Sequence, residues 1–252
     1  MRKTIIESLK NIEAEEKIAV LLACESGSRA WGTQSPNSDY DIRFIYIHHS
    51  DWYLQLFEQR DVFEKTIPPT IELVGWDLKK ALKLLYNSNP SLLEWIHSPI
   101  IYRSDDAFLK NLKNLSQQFC SIPSLLYHYV HMAKKNFQSL NKERNRTPKR
   151  YINCIRPIMM CLSLLNGSGF PNETIQELFL NNVDDKKLLA QFQSLLKVKS
   201  EEQHLFSSQE LDKFIQESIF FLEDKMKKIH FRNKPNVDSL NDFFINMVKR
   251  YS

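Results

Sequence analysis

Two aspartates on either side of a tyrosine, Asp39 and Asp41, open a hydrophobic run that continues to Ile47. Because a β-strand turns alternate side chains to opposite faces, we expect both carboxylates on one face and Tyr40 and Ile42 on the other. Two carboxylates side by side repel each other, and a cation between them relieves the repulsion. Hard divalent metals prefer such oxygen ligands, and Mg²⁺ is usually also held by substrate phosphates. The pair therefore predicts a site for Mg²⁺ or Mn²⁺.

A glycine and a serine, Gly27 and Ser28, stand about a dozen residues before the aspartates and follow the apolar segment 18–24. The chain has only 5 glycines among its 252 residues, so we expect each to have a specific use. Without a side chain at Gly27, backbone N–H groups and the Ser28 hydroxyl can approach a phosphate closely. The two residues therefore predict a phosphate-binding turn. The alternative is a polar hairpin turn before an edge strand, with Asp39 as an ordinary turn residue.

This combination resembles the nucleotidyltransferases of the DNA polymerase β superfamily, whose pattern is a Gly-Ser turn, an Asp-x-Asp strand and a third carboxylate on a later strand. Within that superfamily, the chain is similar to a bacterial and phage branch that includes predicted RNA-repair-associated nucleotidyltransferases. The likeness covers roughly residues 17 to 170. The matching segments are Gly27–Gly32, Ser38–Tyr46, Glu72–Leu78, Asn89–Trp95, Tyr129–Asn136 and Lys149–Pro157.

The resemblance implies an enzyme that moves a nucleoside monophosphate from an NTP to a hydroxyl acceptor and releases pyrophosphate. Two Mg²⁺ ions held by Asp39, Asp41 and Glu72 would activate the attacking oxygen and stabilise the leaving oxygen. Gly27 and Ser28 would hold the β- and γ-phosphates. The third acid would also accept the proton of the acceptor, because a positioned carboxylate can act as a general base.

The third carboxylate has two candidates in this chain, Glu72 and Asp77. The family commonly has Asp at this place, and Glu reaches a metal through one more methylene. We favour Glu72, because only Glu72 lies inside an apolar strand pattern from which its side chain points toward Asp39 and Asp41. Asp77 is then expected to cap the helix that follows it.

Basic side chains are the candidates for binding the triphosphate or an RNA. Arg29, beside the Gly-Ser turn, binds the triphosphate or pairs with an acid, and both alternatives stay open. Residues 134 to 150 hold seven bases against the single acid Glu143: Lys134, Lys135, Lys142, Arg144, Arg146, Lys149 and Arg150.

Charge runs are usually solvated faces, but the resemblance favours phosphate-binding roles for four of the basic residues: Lys134, Lys149, Arg150 and Arg156. Pro157 is expected to kink its helix next to Arg156, because proline removes a backbone hydrogen bond. Such a bend would aim Arg156 at the active site.

The identity of the acceptor stays open between several classes. An RNA end fits the family likeness and the basic segment. A protein hydroxyl, as in antitoxins that modify a partner toxin, fits the small catalytic domain equally well, and a small molecule is a third alternative. A different class is a catalytically silent module that binds RNA or a protein partner. Three clustered carboxylates argue against such a module, because they repel RNA.

Composition predicts a folded protein without a membrane span. Hydrophobic residues make up 42% of the chain, and no run of about 18 apolar residues occurs. The first residues lack an apolar signal segment, so we expect a cytoplasmic protein. Cysteines at 24, 120, 154 and 161 have no metal-binding spacing and lie in apolar surroundings, which favours reduced, buried thiols.

The pattern of apolar residues predicts an α+β fold. We expect a helix at 4–14, strands at 18–24, 40–47 and 70–74, and helices almost throughout from about residue 104. This organisation predicts a small mixed-sheet nucleotidyltransferase domain of the polymerase β type at 1–103 and an all-helical domain at 104–252, with a cleft between them.

Overall fold

The computed structural model of the protein describes residues 1–142, 146–167, 169–229 and 235–252. Arg144 and Glu143 of the predicted basic segment lie outside the described residues. Packing divides the chain into two compact units. The first contains Met1–Ala30, Asp39–Cys120 and the described residues 235–252, and the second contains Trp31–Ser38 and the described residues between 121 and 229.

Strands and helices in these residues are numbered here in chain order. The strands are β1 (Ile18–Glu25), β2 (Tyr40–His48), β3 (Val62–Ile67), β4 (Ile71–Asp77) and β5 (Ile101–Ser104). The helices are α1 (Arg2–Glu16), α2 (Gly27–Ala30), α3 (Ser50–Tyr53), α4 (Leu78–Tyr86), α5 (Pro90–Ile96), α6 (Asp106–Phe119), α7 (Ile122–Lys142), α8 (Pro148–Leu165), α9 (Ile175–Asn182), α10 (Lys186–Ser200), α11 (Gln209–Lys228) and α12 (Asp238–Arg250).

A single mixed sheet organises the first unit, with strand order β3-β4-β2-β1-β5. Strand β2 runs parallel to β4, whereas the β1–β2, β1–β5 and β3–β4 pairs are antiparallel. The described part of the second unit contains helices α7 to α11 and no strand. The predicted α+β class is therefore confirmed. Helices α6 and α12 belong to the first unit by packing, and the domain division at residue 103 stays a prediction.

Helix α1 covers one face of the sheet with the apolar stripe that the sequence spacing predicts. Its buried side chains form one hydrophobic cluster with those of β1, β2 and β4, and this cluster includes Ile5, Leu9 and Ile12 from α1 and Ile42, Phe44 and Tyr46 from β2. Burying an aliphatic or aromatic side chain of this kind contributes about 1.5–3 kcal/mol. Because strand side chains alternate, Asp41 and Arg43 lie on the opposite face.

Helix starts largely follow the capping chemistry that the sequence predicts. Asn89 caps α5, which begins with Pro90. Ser208 is the N-cap of α11 and accepts a hydrogen bond from the Leu211 N–H at 3.3 Å. A capping oxygen reaches the amide three residues ahead, so the first turn of α11 selects Ser208.

The cysteines are free, and Cys24, Cys154 and Cys161 are buried as predicted, while Cys120 is half-buried. Burial raises the pKa of the Cys120 thiol to about 11, which keeps it protonated near neutral pH. Among the described residues, no helix combines the length and apolarity needed to cross a membrane.

Asp77 ends β4 and caps α4, as predicted. One carboxylate oxygen accepts from the Lys79 N–H at 2.8 Å, and the other accepts from the Tyr53 hydroxyl at 2.7 Å. The side chain is fully buried. Burial raises the pKa of Asp77 from its ordinary 3.8 to about 6, although both hydrogen bonds act in the opposite direction.

We predict that Asp77→Asn removes a pH dependence of stability. Folded Asp77 keeps its proton up to about pH 6, whereas the unfolded chain loses it near 3.8, so the wild type loses stability as pH rises through this window. The loss relative to the variant should be roughly 2–3 kcal/mol. Urea unfolding of both proteins at about pH 4 and about pH 7 measures it. A stability difference that is equal at both pH values would contradict the assignment.

Candidate active site

The parallel pairing of β2 and β4 brings two of the three predicted acids together. Asp41 is the register partner of Glu72, so both side chains leave the sheet on the same face. Arg43 lies between the carboxylates, with one guanidinium nitrogen 3.2 Å from Asp41 Oδ1 and the other 3.1 Å from Glu72 Oε1. The Asp41 side chain is 25% exposed and that of Glu72 is 48% exposed. Both acids are thus within reach of a ligand.

Asp77, the alternative third acid, occupies a different position. It pairs in register with Tyr46, five residues further along β4 than Glu72, and both of its carboxylate oxygens already accept hydrogen bonds. An odd number of residues along a strand also reverses the face. The geometry therefore places Glu72 beside Asp41 and gives Asp77 a structural role.

The predicted phosphate-binding turn lies directly against Asp41. Gly27 starts the short helix α2 with a φ of +60°, and a Cβ built there would lie 2.1 Å from Asp41 Oδ2. The Ser26 N–H donates to the Asp41 carbonyl at 2.8 Å, which ties the turn to β2. Ser28 follows in α2. Glycine is required here by both the positive φ and the close approach of the carboxylate.

A buried acid that the sequence did not single out, Glu25, holds this region together. One carboxylate oxygen accepts from the Asp41 N–H at 2.7 Å and the other from the Tyr102 hydroxyl. Burial raises the pKa of Glu25, while these two hydrogen bonds and the charge of Arg29 lower it. Its position at the end of an apolar strand, just before Ser26 and Gly27, was the available sequence signal.

Asp39 and Arg29 lie beside the first residue of β2, Tyr40. The Asp39 side chain is exposed, and its carbonyl accepts a hydrogen bond from Arg29 Nε at 3.1 Å. The Arg29 guanidinium lies 3.7 Å from the centre of the Tyr40 ring, a cation–π distance. Arg29 therefore links α2 to β2, and its binding to a triphosphate stays a prediction.

The donor chemistry of the acids fits a divalent cation, because carboxylate oxygens are hard ligands. In the described residues, however, no group of three or more His, Cys, Asp or Glu side chains is placed to hold a metal ion. The positive charge between Asp41 and Glu72 is instead the Arg43 guanidinium. The pair is thus arranged around a cation, and the three-acid metal site with Asp39 stays a prediction.

The remaining predicted phosphate-binding residues belong to the second unit. Lys134 pairs with Glu223 at 2.6 Å. Lys149 is exposed. The pKa of Lys199 is lowered mainly by the burial of Lys199 and further by the positive charge of Lys149. Repulsion between two ammonium groups has this sign, so these lysines form a local positive patch, which the negative charge of Glu202 partly offsets.

Two other basic residues of this unit have defined surroundings. Arg150 is half-buried in the first turn of α8, which continues through Pro157. Arg156 is buried, and its guanidinium lies 3.5 Å from the centre of the Trp31 ring. This distance is a cation–π contact and gives Arg156 a packing role within the second unit.

A mixed sheet with an acid on each strand of its parallel pair, beside a Gly-Ser turn, is the arrangement expected of a nucleotidyltransferase of the polymerase β type. Residues 1–246 match the profile of the RNA repair pathway DNA polymerase beta family, and the chain belongs to this family. The predicted resemblance is therefore confirmed.

Comparison with individual proteins gives the following similarities. This chain is 32% identical over 252 residues to the uncharacterized protein YcgL of Bacillus subtilis (strain 168). The alignment covers 99% of this chain and 97% of YcgL. A crystal structure of a nucleotidyltransferase-like protein from Exiguobacterium sibiricum 255-15 aligns with this chain at 15% sequence identity and a TM-score of 0.35. The alignment covers 88% of this chain and 74% of the chain in that crystal structure.

We predict that Gly27→Ala displaces the Asp41 carboxylate. An alanine at a φ of +60° costs roughly 1–2 kcal/mol, and the overlap of its Cβ with Asp41 Oδ2 adds to this cost. Gly167→Ala is the matched control, because Gly167 has a φ of +78° and no described atom lies within 4 Å of a Cβ there. Urea unfolding should give a larger loss of stability for Gly27→Ala. Equal losses would show that Asp41 does not crowd Gly27.

Proposed function

We propose that this protein transfers a nucleoside monophosphate from an NTP to a hydroxyl acceptor and releases pyrophosphate. Membership of the RNA repair pathway DNA polymerase beta family supports the reaction class. The observation that carries the proposal is the pairing of Asp41 with Glu72 on one face, directly against Gly27. Carboxylates beside a glycine turn suit a site where phosphates and their counter-ions meet.

In the proposed reaction, the acceptor oxygen forms a bond to the α-phosphorus while the bond from that phosphorus to the pyrophosphate oxygen breaks. The Gly27 backbone and the Ser28 hydroxyl would hold the β- and γ-phosphates through hydrogen bonds. Glu72, the more exposed acid of the pair, would accept the proton that the acceptor hydroxyl loses. The absence of a side chain at Gly27 leaves room for the Asp41 carboxylate beside this turn.

Asp39, Asp41 and Glu72 are the residues that would hold Mg²⁺ or Mn²⁺. The metal, when bound, supplies Lewis-acid stabilisation of the charge on the reacting oxygens. Asp39 lies two residues before Asp41 and its side chain is exposed, so it is accessible to an incoming ion. Arg29, on the neighbouring short helix, is proposed to contact the triphosphate from the side of Tyr40.

An RNA end is the acceptor that we propose. The family description refers to an RNA repair pathway, and the second unit carries the positive patch of Lys149 and Lys199. Phosphates of a nucleic acid are attracted to such clusters of lysine. Lys134 and Arg150 are proposed to add to this phosphate-binding surface, and Arg156 to support it through Trp31.

The reaction is tested by incubating the protein with α-³²P-labelled NTPs, Mg²⁺ or Mn²⁺, and total cellular RNA or protein. We expect label on RNA and release of pyrophosphate. Asp41→Asn and Glu72→Gln should each reduce transfer by at least about a hundredfold, the scale of a removed acid–base or electrostatic group. Glu64→Gln is the control, because Glu64 is an exposed acid of the same sheet that pairs with Arg60.

Each result of this experiment has a defined meaning. Label on a protein would replace the RNA acceptor with a partner protein. Absence of label on any acceptor, with every NTP, would favour a module that only binds RNA or protein. Equal loss of transfer in Glu64→Gln and Glu72→Gln would remove the special role of the Asp41–Glu72 pair.

Salt dependence tests the RNA-binding surface separately. We predict that Lys134→Gln and Lys149→Gln, both at exposed positions of the second unit, weaken RNA binding. Each lost phosphate contact should lower the slope of log K against log salt by about 0.7 for a single strand. Lys213→Gln, on α11, is the control, because Lys213 is exposed and its nearest acid is Glu217. An unchanged slope in both test variants would exclude these contacts, and a loss of NTP affinity instead would move them to the nucleotide.

A further inference from the structure

Arg43 occupies the position between the two paired acids. Its guanidinium directs one nitrogen to Asp41 Oδ1 at 3.2 Å and the other to Glu72 Oε1 at 3.1 Å. The second nitrogen also lies 3.4 Å from the Ile42 carbonyl. Only 17% of the Arg43 side chain is exposed. The guanidinium is thus largely withdrawn from solvent and engaged by oxygen atoms, in contrast to an ordinary surface arginine.

The sheet register explains why a cation belongs at this position. Asp41 and Glu72 are neighbours on parallel strands, and two like charges at this spacing destabilise the pair. Arg43 follows Asp41 by two residues, so its side chain leaves β2 on the same face. A planar guanidinium offers separate N–H donors to two acceptors and keeps its charge at any physiological pH. Arg43 therefore offsets part of the negative charge of the pair without a metal ion.

Other arginines of the first unit have different partners. Arg103 pairs with Glu13, and Arg60 pairs with Glu64. Arg29 donates to the Asp39 carbonyl and lies over the Tyr40 ring. The contact of Arg43 with Asp41 and Glu72 therefore belongs to the acids that we propose as metal ligands.

We propose that Arg43 is a positioning residue that holds Asp41 and Glu72 together in the metal-free protein and that a divalent ion must displace in order to bind them. The inference rests on the proposed function, because it takes this pair as metal ligands. The guanidinium holds one oxygen of each acid, Asp41 Oδ1 and Glu72 Oε1, and an ion that bridges the pair needs the same two carboxylates. Their positive charges also repel each other, so both cannot occupy the pair at once.

Competition of this kind sets the metal affinity of the site. A bound ion gains its contacts with two carboxylates, and the protein loses two charge-assisted hydrogen bonds from Arg43. Without the guanidinium, no hydrogen bonds are lost when the ion binds. The two carboxylates also repel each other, so they bind a cation more tightly than the wild-type pair does. Arg43→Gln should therefore bind a divalent ion more tightly than the wild type, although it loses a residue that contacts both acids.

The test is Mn²⁺ binding by electron paramagnetic resonance of the free ion, with no nucleotide or RNA present. We expect the Kd of Arg43→Gln to be lower than that of the wild type by about tenfold, which corresponds to about 1.4 kcal/mol. Arg60→Gln is the matched control, because its guanidinium pairs with the exposed Glu64 on β3, and its Kd should equal that of the wild type. Thermal melting with and without Mn²⁺ gives a second measurement, in which Arg43→Gln should show the larger stabilisation by the ion.

The outcomes separate the inference from the proposed function. If the wild type binds Mn²⁺ and Arg43→Gln binds it equally or more weakly, the competition is wrong while the metal site stands. If neither protein binds Mn²⁺, the metal site itself is wrong and the inference fails with it. Arg43→Lys covers the case in which Arg43→Gln does not fold. A lysine presents a single ammonium group rather than a fork, so its Kd should also lie below that of the wild type, and a Kd equal to or above the wild-type value would overturn the proposal.

Discussion

The parallel pairing of β2 with β4 is the constraint on which the candidate site depends. It places Asp41 beside Glu72, and a slip of one residue would turn Glu72 to the face that α1 covers. That slip is unfavourable, because it would bury a carboxylate in the cluster and expose Ile71 and Leu73, which are buried there. The hydrophobic core under α1 therefore fixes the register of the acids on the other face.

Neighbouring strand β1 adds the second half of the arrangement. It pairs with β2 and ends in Glu25, whose buried carboxylate accepts hydrogen bonds from the Asp41 N–H and the Tyr102 hydroxyl. A buried carboxylate without such partners would be costly, so these bonds link the ends of β1, β2 and β5. The turn at Gly27 follows two residues later and is held in contact with Asp41. The position of the phosphate-binding turn thus follows from the pairing of β1 with β2.

Much of this architecture could be predicted from local patterns, because periodicity and capping act over a few residues. Helix α1, strands β1, β2 and β4, and the cap at Asp77 follow from such patterns. Strands β3 and β5 were not predicted: β3 carries exposed polar residues, and β5 has only four residues. Strand β5 also pairs with β1, which lies far earlier in the chain, whereas β3 pairs with β4 across a short turn. The sequence pattern shows that Asp41 and Arg43 share a face of β2. It does not show which strand lies beside β2, so the contact of Arg43 with Glu72 was not predicted. The roles of the acids in metal binding remain predictions.

Two of the few glycines in this chain, Gly27 and Gly75, lie beside the two faces of β2. On the face of the acids, Gly27 leaves room for the Asp41 carboxylate, which would lie 2.1 Å from a Cβ. On the face under α1, Gly75 is the register partner of Phe44, whose ring would lie 2.4 Å from a Cβ. At Gly27 and Gly75, a side chain of β2 thus occupies the space that a Cβ would need. The aromatic contact at Gly75 supports the packing that fixes the register, and the carboxylate contact at Gly27 brings the turn to the acids. One glycine thus serves the core and the other serves the site, and neither role can be read from the composition of the strand alone.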